Sequence, residues 1–320
     1  MFRAIELTGI HHVTAIAGDP QKNLDFYTRV LGLRLVKKTV NFDDPYSYHL
    51  YFGDAKGSPS TLITFFPWGA GGHPGRRGTG QLAIYSFAVP AGSLGYWADR
   101  LKSMGIAVSG PVQRWDEEVL TLFDHDGFEI ELIATTLVNH DAWDHRIPAE
   151  FAIRGLHGIA LSTASHATAK FVSEVLQFRA SGDLKNRMRF ETGMGGSGAI
   201  IDLIHEPKSP KGLIGVGGIH HVAWRTPDDR RQVTARDIIM EAGHQVTPVI
   251  DRNYFHSIYF NEPGGVIFEI ATDPPGFEID EPRETLGTAL KLPPQYEPYR
   301  PDLERRLPTL RMAPEEARVG

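Results

Sequence analysis

Four stretches of the chain carry apolar residues at spacings of three and four: Asn23 to Leu31, Leu94 to Met104, Ala167 to Leu176 and Arg230 to Ala242. That period marks amphipathic helices. Gly32, Gly105 and Gly243 follow three of them, where a glycine commonly closes a helix. A β-rich run opens each helical unit, and further strand-like runs close it, with a glycine turn before the last. The order reads βαβββ four times, over units of roughly 5–68, 80–136, 153–207 and 216–274.

Self-similarity supports the same division. Gly9-Ile10-His11-His12-Val13 returns unchanged as Gly218-Ile219-His220-His221-Val222. Gly155-Leu156-His157-Gly158-Ile159 is a weaker copy, and Leu82 to Phe87 opens a fourth unit without the histidines of the motif. The expected fold class is α+β, with four βαβββ modules paired into two incomplete β-barrels. Residues 1–150 and 151–277 hold two modules each, as N- and C-terminal domains, and 278–320 form a proline-rich arm that covers a cavity or a partner subunit. The glycine-rich segment Gly69 to Gly78 precedes a strand rather than a helix, so it reads as a flexible linker and not as a phosphate loop.

Candidate chemistry follows from the repeat. Side chains alternate along a strand, so of two adjacent histidines one faces inward and the other outward. Aligning the closing strands on a final Pro or Thr gives each module one opening and one closing position. The pairs are His12 with Leu62, Ile84 with Glu131, Gly158 with Asp202, and His221 with Glu269. Pairing the first module with the fourth brings His12, His221 and Glu269 together, two histidines and one carboxylate. Glu269 lies in the apolar run Gly265 to Ile270, where an uncompensated carboxylate is costly to bury. Glu131 and Asp202 are expected to be exposed or paired structural acids, and His49, His73, His125, His140, His145, His205, His244 and His256 structural or exposed.

Composition narrows the chemistry further. With no cysteine, a metal must be held by His, Asp, Glu or backbone oxygen. A net charge of -6 with no basic run offers no footprint for nucleic acid or an anionic membrane surface. No apolar run is long enough to span a membrane and no signal peptide opens the chain, so a cytoplasmic protein with a small-molecule partner is expected.

Beyond the repeat, Asn23-Leu24-Asp25-Phe26-Tyr27, Val30-Leu31-Gly32-Leu33 and the Pro263-Gly264-Gly265 turn before Glu269 resemble the vicinal oxygen chelate superfamily over nearly the whole chain. Within that superfamily the chain resembles the bacterial hydroquinone ring-cleaving dioxygenases, including the chlorohydroquinone enzymes. That resemblance implies Fe(II), with Mn(II) as the alternative metal, held by His12, His221 and Glu269. It implies O2 and a dihydroxylated aromatic as reactants, and a homo-oligomer is expected. His11, Thr14, His220, Arg252 and Tyr259 match further site positions of the group: Tyr259 and His11 for contact with a substrate hydroxyl, His220 and Arg252 for orienting ligands or stabilising negative charge on oxygen. The rival readings are a glyoxalase- or epimerase-like enzyme using Zn(II), Ni(II) or Co(II), an extradiol catechol dioxygenase, and a metal-free binding protein.

Overall fold

The computed structural model describes residues 4–136, 140 and 142–312. The first module comprises β1 (Gly9–Ala17), α1 (Pro20–Asp25), β2 (Arg34–Asn41), β3 (Asp44–Gly53) and β4 (Leu62–Pro67). The second comprises β5 (Gln81–Pro90), α2 (Leu94–Ser103), β6 (Val108–Arg114), β7 (Glu117–Phe123) and β8 (Glu129–Thr135). The third runs through β9 (Leu156–Thr163), α3 (Ala167–Lys170), β10 (Arg179–Leu184), β11 (Arg187–Glu191) and β12 (Ile200–His205). The fourth has β13 (Gly218–Thr226), α4 (Asp229–Glu241), β14 (Ile250–Asp251), β15 (Phe255–Asn261) and β16 (Ile267–Pro275). A last short helix, α5 (Arg300–Arg306), lies in the C-terminal arm.

The helices start and stop for local reasons. Asp19 caps α1 through the backbone N–H groups of Gln21 and Lys22, with Pro20 in the first turn. Both α1 and α3 continue into a π-helical turn, Phe26–Val30 and Phe171–Val175. Gly32, Gly105 and Gly243 adopt φ values of 72°, 74° and 89° after their helices, and Gln177 takes φ 61° after the third, which lacks a glycine.

The modules assemble in the order β14-β15-β16-β13-β1-β4-β3-β2 in one eight-stranded sheet and β10-β11-β12-β9-β5-β8-β7-β6 in the other. The first module thus pairs with the fourth through antiparallel β1 and β13, and the second with the third through β5 and β9. Each sheet takes one module from 1–150 and one from 151–277. The two curled sheets are the two incomplete barrels.

Interruptions at the central seams matter for the site. The β1–β13 ladder skips His11 on one strand and His220 on the other, and the β5–β9 ladder skips Ala83 and His157. These four residues occupy equivalent bulges, one per module. A bulge breaks the strict alternation of faces, which corrects the inward-and-outward reading of the paired histidines: His11 is only 2% exposed and His220 is partly buried beside its neighbour.

His12 lies opposite Leu62 and Thr14 opposite Thr64, whereas His221 lies opposite Ile267 and Ala223 opposite Glu269. Ser86 and Ala160 likewise lie opposite Glu131 and Asp202. The first-module counterpart of Glu269 is therefore Thr64, not Leu62. Its strand ends at Pro67 while β16 runs on to Pro275, so terminal prolines are not equivalent landmarks. A two-residue slip keeps every side chain on its face, which is why the apolar pattern did not expose it.

The linker Gly69 to Gly78 is not loose. Pro74, Arg76 and Thr79 bridge to Val216, Leu213 and Lys211 of the corresponding linker before the fourth module. A Cβ on Gly78 would stand 2.2 Å from Pro210 O, so this glycine permits close approach of two backbones. The arm wraps the first module: Lys37, wholly buried, pairs with Asp280 at 2.6 Å and Glu281 at 2.8 Å, and Tyr296 donates to Phe42 O. Residues 313–320 of the arm lie outside the described part. Among the described residues, no helix is long and apolar enough to cross a membrane.

Candidate metal centre

The β1–β13 seam carries His12 and His221, and β16 beside it supplies Glu269. Glu269 Oε2 lies 3.0 Å from His221 Nε2 and 3.4 Å from His12 Nε2, and the two Nε2 atoms are 3.3 Å apart. All three side chains are buried. Ligand atoms about 2.1 Å from one ion stand about 3.0 Å apart at right angles and about 3.4 Å apart at the tetrahedral angle, so this triangle fits one divalent cation. Glu269 Oε1 accepts a hydrogen bond from Ser257 Oγ at 2.5 Å, while Oε2 is buried without a hydrogen-bond partner. An orphaned, buried carboxylate oxygen facing two imidazole nitrogens is what a missing cation would leave.

Each ligand histidine leans on its neighbour. His12 Nδ1 is 2.9 Å from His11 Nδ1, and His221 Nδ1 is 2.7 Å from His220 Nδ1. A metal needs the lone pair of Nε2, so Nδ1 carries the proton and donates it to the neighbour. The neighbour must then accept at Nδ1 and keep its own proton on Nε2. His11 directs its remaining hydrogen-bonding capacity to the Thr272 backbone and is buried behind His12. His220 instead lines the cavity. Burial and the adjacent ligand histidine hold His11 well below its usual pKa and His220 at about 3, so both are neutral partners. Burial alone would raise the Glu269 carboxyl, but His12 and His221 outweigh it and hold it ionised, well below the usual carboxylate range.

A cavity of about 400 Å³ opens over the triad, within the range of small-molecule sites, roughly 300–1,000 Å³. Phe42, Phe66, Trp68 and Phe255 give it aromatic walls. Tyr259 and Arg252 also line it: Arg252 Nε donates to the Tyr259 hydroxyl at 3.1 Å, and the guanidinium pairs with Asp43 at 3.2 Å across the mouth. Burial and the Glu269 charge push the Tyr259 phenol far up, so it stays protonated. Of the residues singled out in the sequence, His12, His221, Glu269, His220, Arg252 and Tyr259 therefore meet in one place. His11 and Thr14 sit behind the lining. Thr14 Oγ1 is 2.8 Å from Thr64 Oγ1.

Sequence reasoning missed His49 and Tyr51, which line the cavity on the first-module side. His49 Nε2 is 2.9 Å from Thr64 Oγ1 and its Nδ1 is 2.8 Å from the Tyr51 hydroxyl. The alternation of Tyr48 to Phe52 carried only a strand signal. It was the ladder that placed Tyr51 opposite Thr64 as Tyr259 stands opposite Glu269.

In the other barrel the equivalent positions are closed by charge. Arg114 grips Glu131 with two bonds of 2.7 and 2.5 Å, Arg187 and Arg189 hold Asp202, and Glu117 bridges Arg189 and His157. Glu131 and Asp202 are thus paired acids, both buried.

Residues 9–132 and 160–279 match the family described as Glyoxalase/Bleomycin resistance protein/Dioxygenase superfamily. This chain belongs to that superfamily. Among curated relatives, one from Bacillus subtilis (strain 168), named "Putative ring-cleaving dioxygenase MhqO", is 44% identical over 93% of this chain and 95% of its own length. The chlorohydroquinone/hydroquinone 1,2-dioxygenase of Sphingobium indicum is 35% identical, over 93% of this chain and 95% of its own. A crystal structure of a "putative dioxygenase from Bacillus subtilis subsp. subtilis str. 168" superposes with a TM-score of 0.92 at 42% identity, covering 97% of this chain and 99% of that one. Glyoxalase I from Zea mays shares the superfamily's fold at a TM-score of 0.62 and 17% identity, over 83% of this chain and 92% of its own.

Proposed function

We propose that this chain is a ring-cleaving dioxygenase that uses Fe(II), held by His12, His221 and Glu269, and O2 to open a hydroquinone-type aromatic ring. The observation that carries the reading is the triad itself: two imidazoles and one carboxylate within 3.4 Å of one another, at the floor of an aromatic-walled cavity. Two histidines and one carboxylate with further positions open are the donor set of non-haem Fe(II) oxygenases. The names of relatives at 35 to 44% identity over most of the chain point the same way.

Fe(II) bound there would offer neighbouring open positions for a phenolic oxygen and O2 and a path for electrons between them. The chain's own residues do the rest. His11 and His220 fix the tautomer and the ring orientation of the two ligand histidines. The aromatic walls hold the flat ring and exclude water. Tyr259, kept neutral and backed by Arg252, presents its hydroxyl to a substrate oxygen, and Arg252 supplies positive charge beside it. The substrate-facing role assigned from sequence to His11 passes to His220, whose Nε2–H is available to a group in the cavity.

A glyoxalase- or epimerase-like site with four protein ligands is disfavoured because Thr64, engaged with Thr14 and His49, stands where the fourth ligand would be. Loading the protein anaerobically with Fe(II), adding a hydroquinone and ¹⁸O2, and weighing the product tests the reading. A ring-opened acid carrying ¹⁸O is expected; an isomer of the substrate with no label would contradict it. Light scattering tests the expected homo-oligomer, as a mass that is a multiple of 35.5 kDa.

A further inference from the structure

We infer that Tyr51, positioned by His49, is a second hydroxyl contact of the cavity, which recognises a ring oxygen other than the one at the metal. This rests on the reading of the cavity as an aromatic-diol site.

Tyr51 and Tyr259 are related by the pairing of the first and fourth modules, opposite Thr64 and Glu269 respectively. Both line the cavity. Each has a nitrogen behind its oxygen: Arg252 Nε, which donates to Tyr259 at 3.1 Å, and His49 Nδ1, 2.8 Å from the Tyr51 hydroxyl. The backing of Tyr51 extends further, because His49 Nε2 meets Thr64 Oγ1 and Thr64 meets Thr14 Oγ1. With Thr14 donating to Thr64, Thr64 to His49 Nε2 and His49 Nδ1–H to Tyr51, Thr64 and His49 each give one hydrogen and take one, and the Tyr51 proton is left for the cavity. Run the other way, Tyr51 donates to His49 and its oxygen accepts from a hydroxyl in the cavity. The chain of four groups therefore lets one tyrosine meet either a ring hydroxyl or a ring oxyanion, which a fixed donor such as Arg252 does not.

Burial keeps both members of the pair neutral, with the Tyr51 phenol pushed well up and the His49 imidazole well down. Neutral partners can reverse a hydrogen-bond chain without leaving a charge in a dry wall. Thr14 and Thr64 acquire a role here that a ligand-centred view does not give them: as hydroxyls that can donate or accept, they partner His49 with its proton on either nitrogen.

The test is anaerobic calorimetric binding to the Fe(II)-loaded protein, with hydroquinone and with phenol, which lacks the second hydroxyl. Tyr51→Phe should weaken hydroquinone binding about tenfold, as loss of a buried hydrogen bond does, and leave phenol binding within about twofold. His49→Asn, which keeps a donor near the Nδ1 position, should retain the preference for hydroquinone, and His49→Leu should lose it. An equal loss for both ligands in Tyr51→Phe, or no loss for either, overturns the inference while the metal site stands. Failure of the wild-type protein to bind either ring overturns the cavity reading and this inference with it. Thermal unfolding of each variant separates misfolding from lost recognition, and a Tyr51→Phe protein that unfolds as the wild type does yet keeps its full preference refutes the contact.

Discussion

Ser257 Oγ donates to Glu269 Oε1 at 2.5 Å, and this one bond decides which carboxylate oxygen is left for a metal. With Oε1 engaged, Oε2 stays between His12 and His221. Ser257→Ala frees the carboxylate to rotate. Metal affinity should fall about 10- to 100-fold, measured by competition with a chelator.

His11 and His220 occupy equivalent bulges but face different surroundings, so their replacement should separate two effects. His11→Ala leaves the His12 Nδ1–H unpaired in a dry interior and should cost about 1–3 kcal/mol of stability. His220→Ala, at the cavity wall, should unfold close to wild type while turnover falls at least tenfold. Denaturation curves and steady-state kinetics on both variants distinguish the cases. Equal stability losses would contradict the assignment.

Much of this was legible in the sequence, and what was not has definite physical causes. The repeated GIHHV segments and the 3.6-residue periods located four modules and the triad, since period and repetition survive in one dimension. The Leu62 for Thr64 error survived because a two-residue slip preserves the buried face, and only the hydrogen-bonded ladder distinguishes them. The bulges at His11 and His220 were invisible because they depend on pairing between strands some two hundred residues apart in sequence. His49 and Tyr51 were missed for a related reason: a strand alternation tells which residues share a face but not which cavity that face meets.

The arm is a part of the first module's fold. Lys37 is fully buried and held by Asp280 and Glu281, the latter only 3% exposed. Lys37→Met keeps the volume but leaves Glu281 without its counter-charge. A loss of about 3–5 kcal/mol is expected in urea unfolding. A loss under about 1 kcal/mol would mean the arm is not anchored there.

The second barrel should show itself in acid. Burial alone would raise the Glu117 carboxyl, but the hydrogen bond and charge of His157 and the charge of Arg189 hold it at about 2. A pKa lowered on folding contributes stability that is full above the unfolded value near 4.5 and is lost as pH falls toward 2. The contribution is about 3 kcal/mol. The stability gap between wild type and Glu117→Gln, followed by urea unfolding, should therefore be largest above pH 5 and shrink steadily below pH 4. A gap that stays constant with pH would contradict it.

If His12, His221 and Glu269 hold an iron that turns O2 on an aromatic ring, the protein takes up oxygen when that ring is supplied. Fe(II)-loaded protein given hydroquinone, methylhydroquinone, chlorohydroquinones and catechol should consume one O2 per ring for at least one hydroquinone, with His12→Ala and Glu269→Ala inactive. No uptake with any of these rings, in protein whose Fe(II) content is confirmed, would contradict the account.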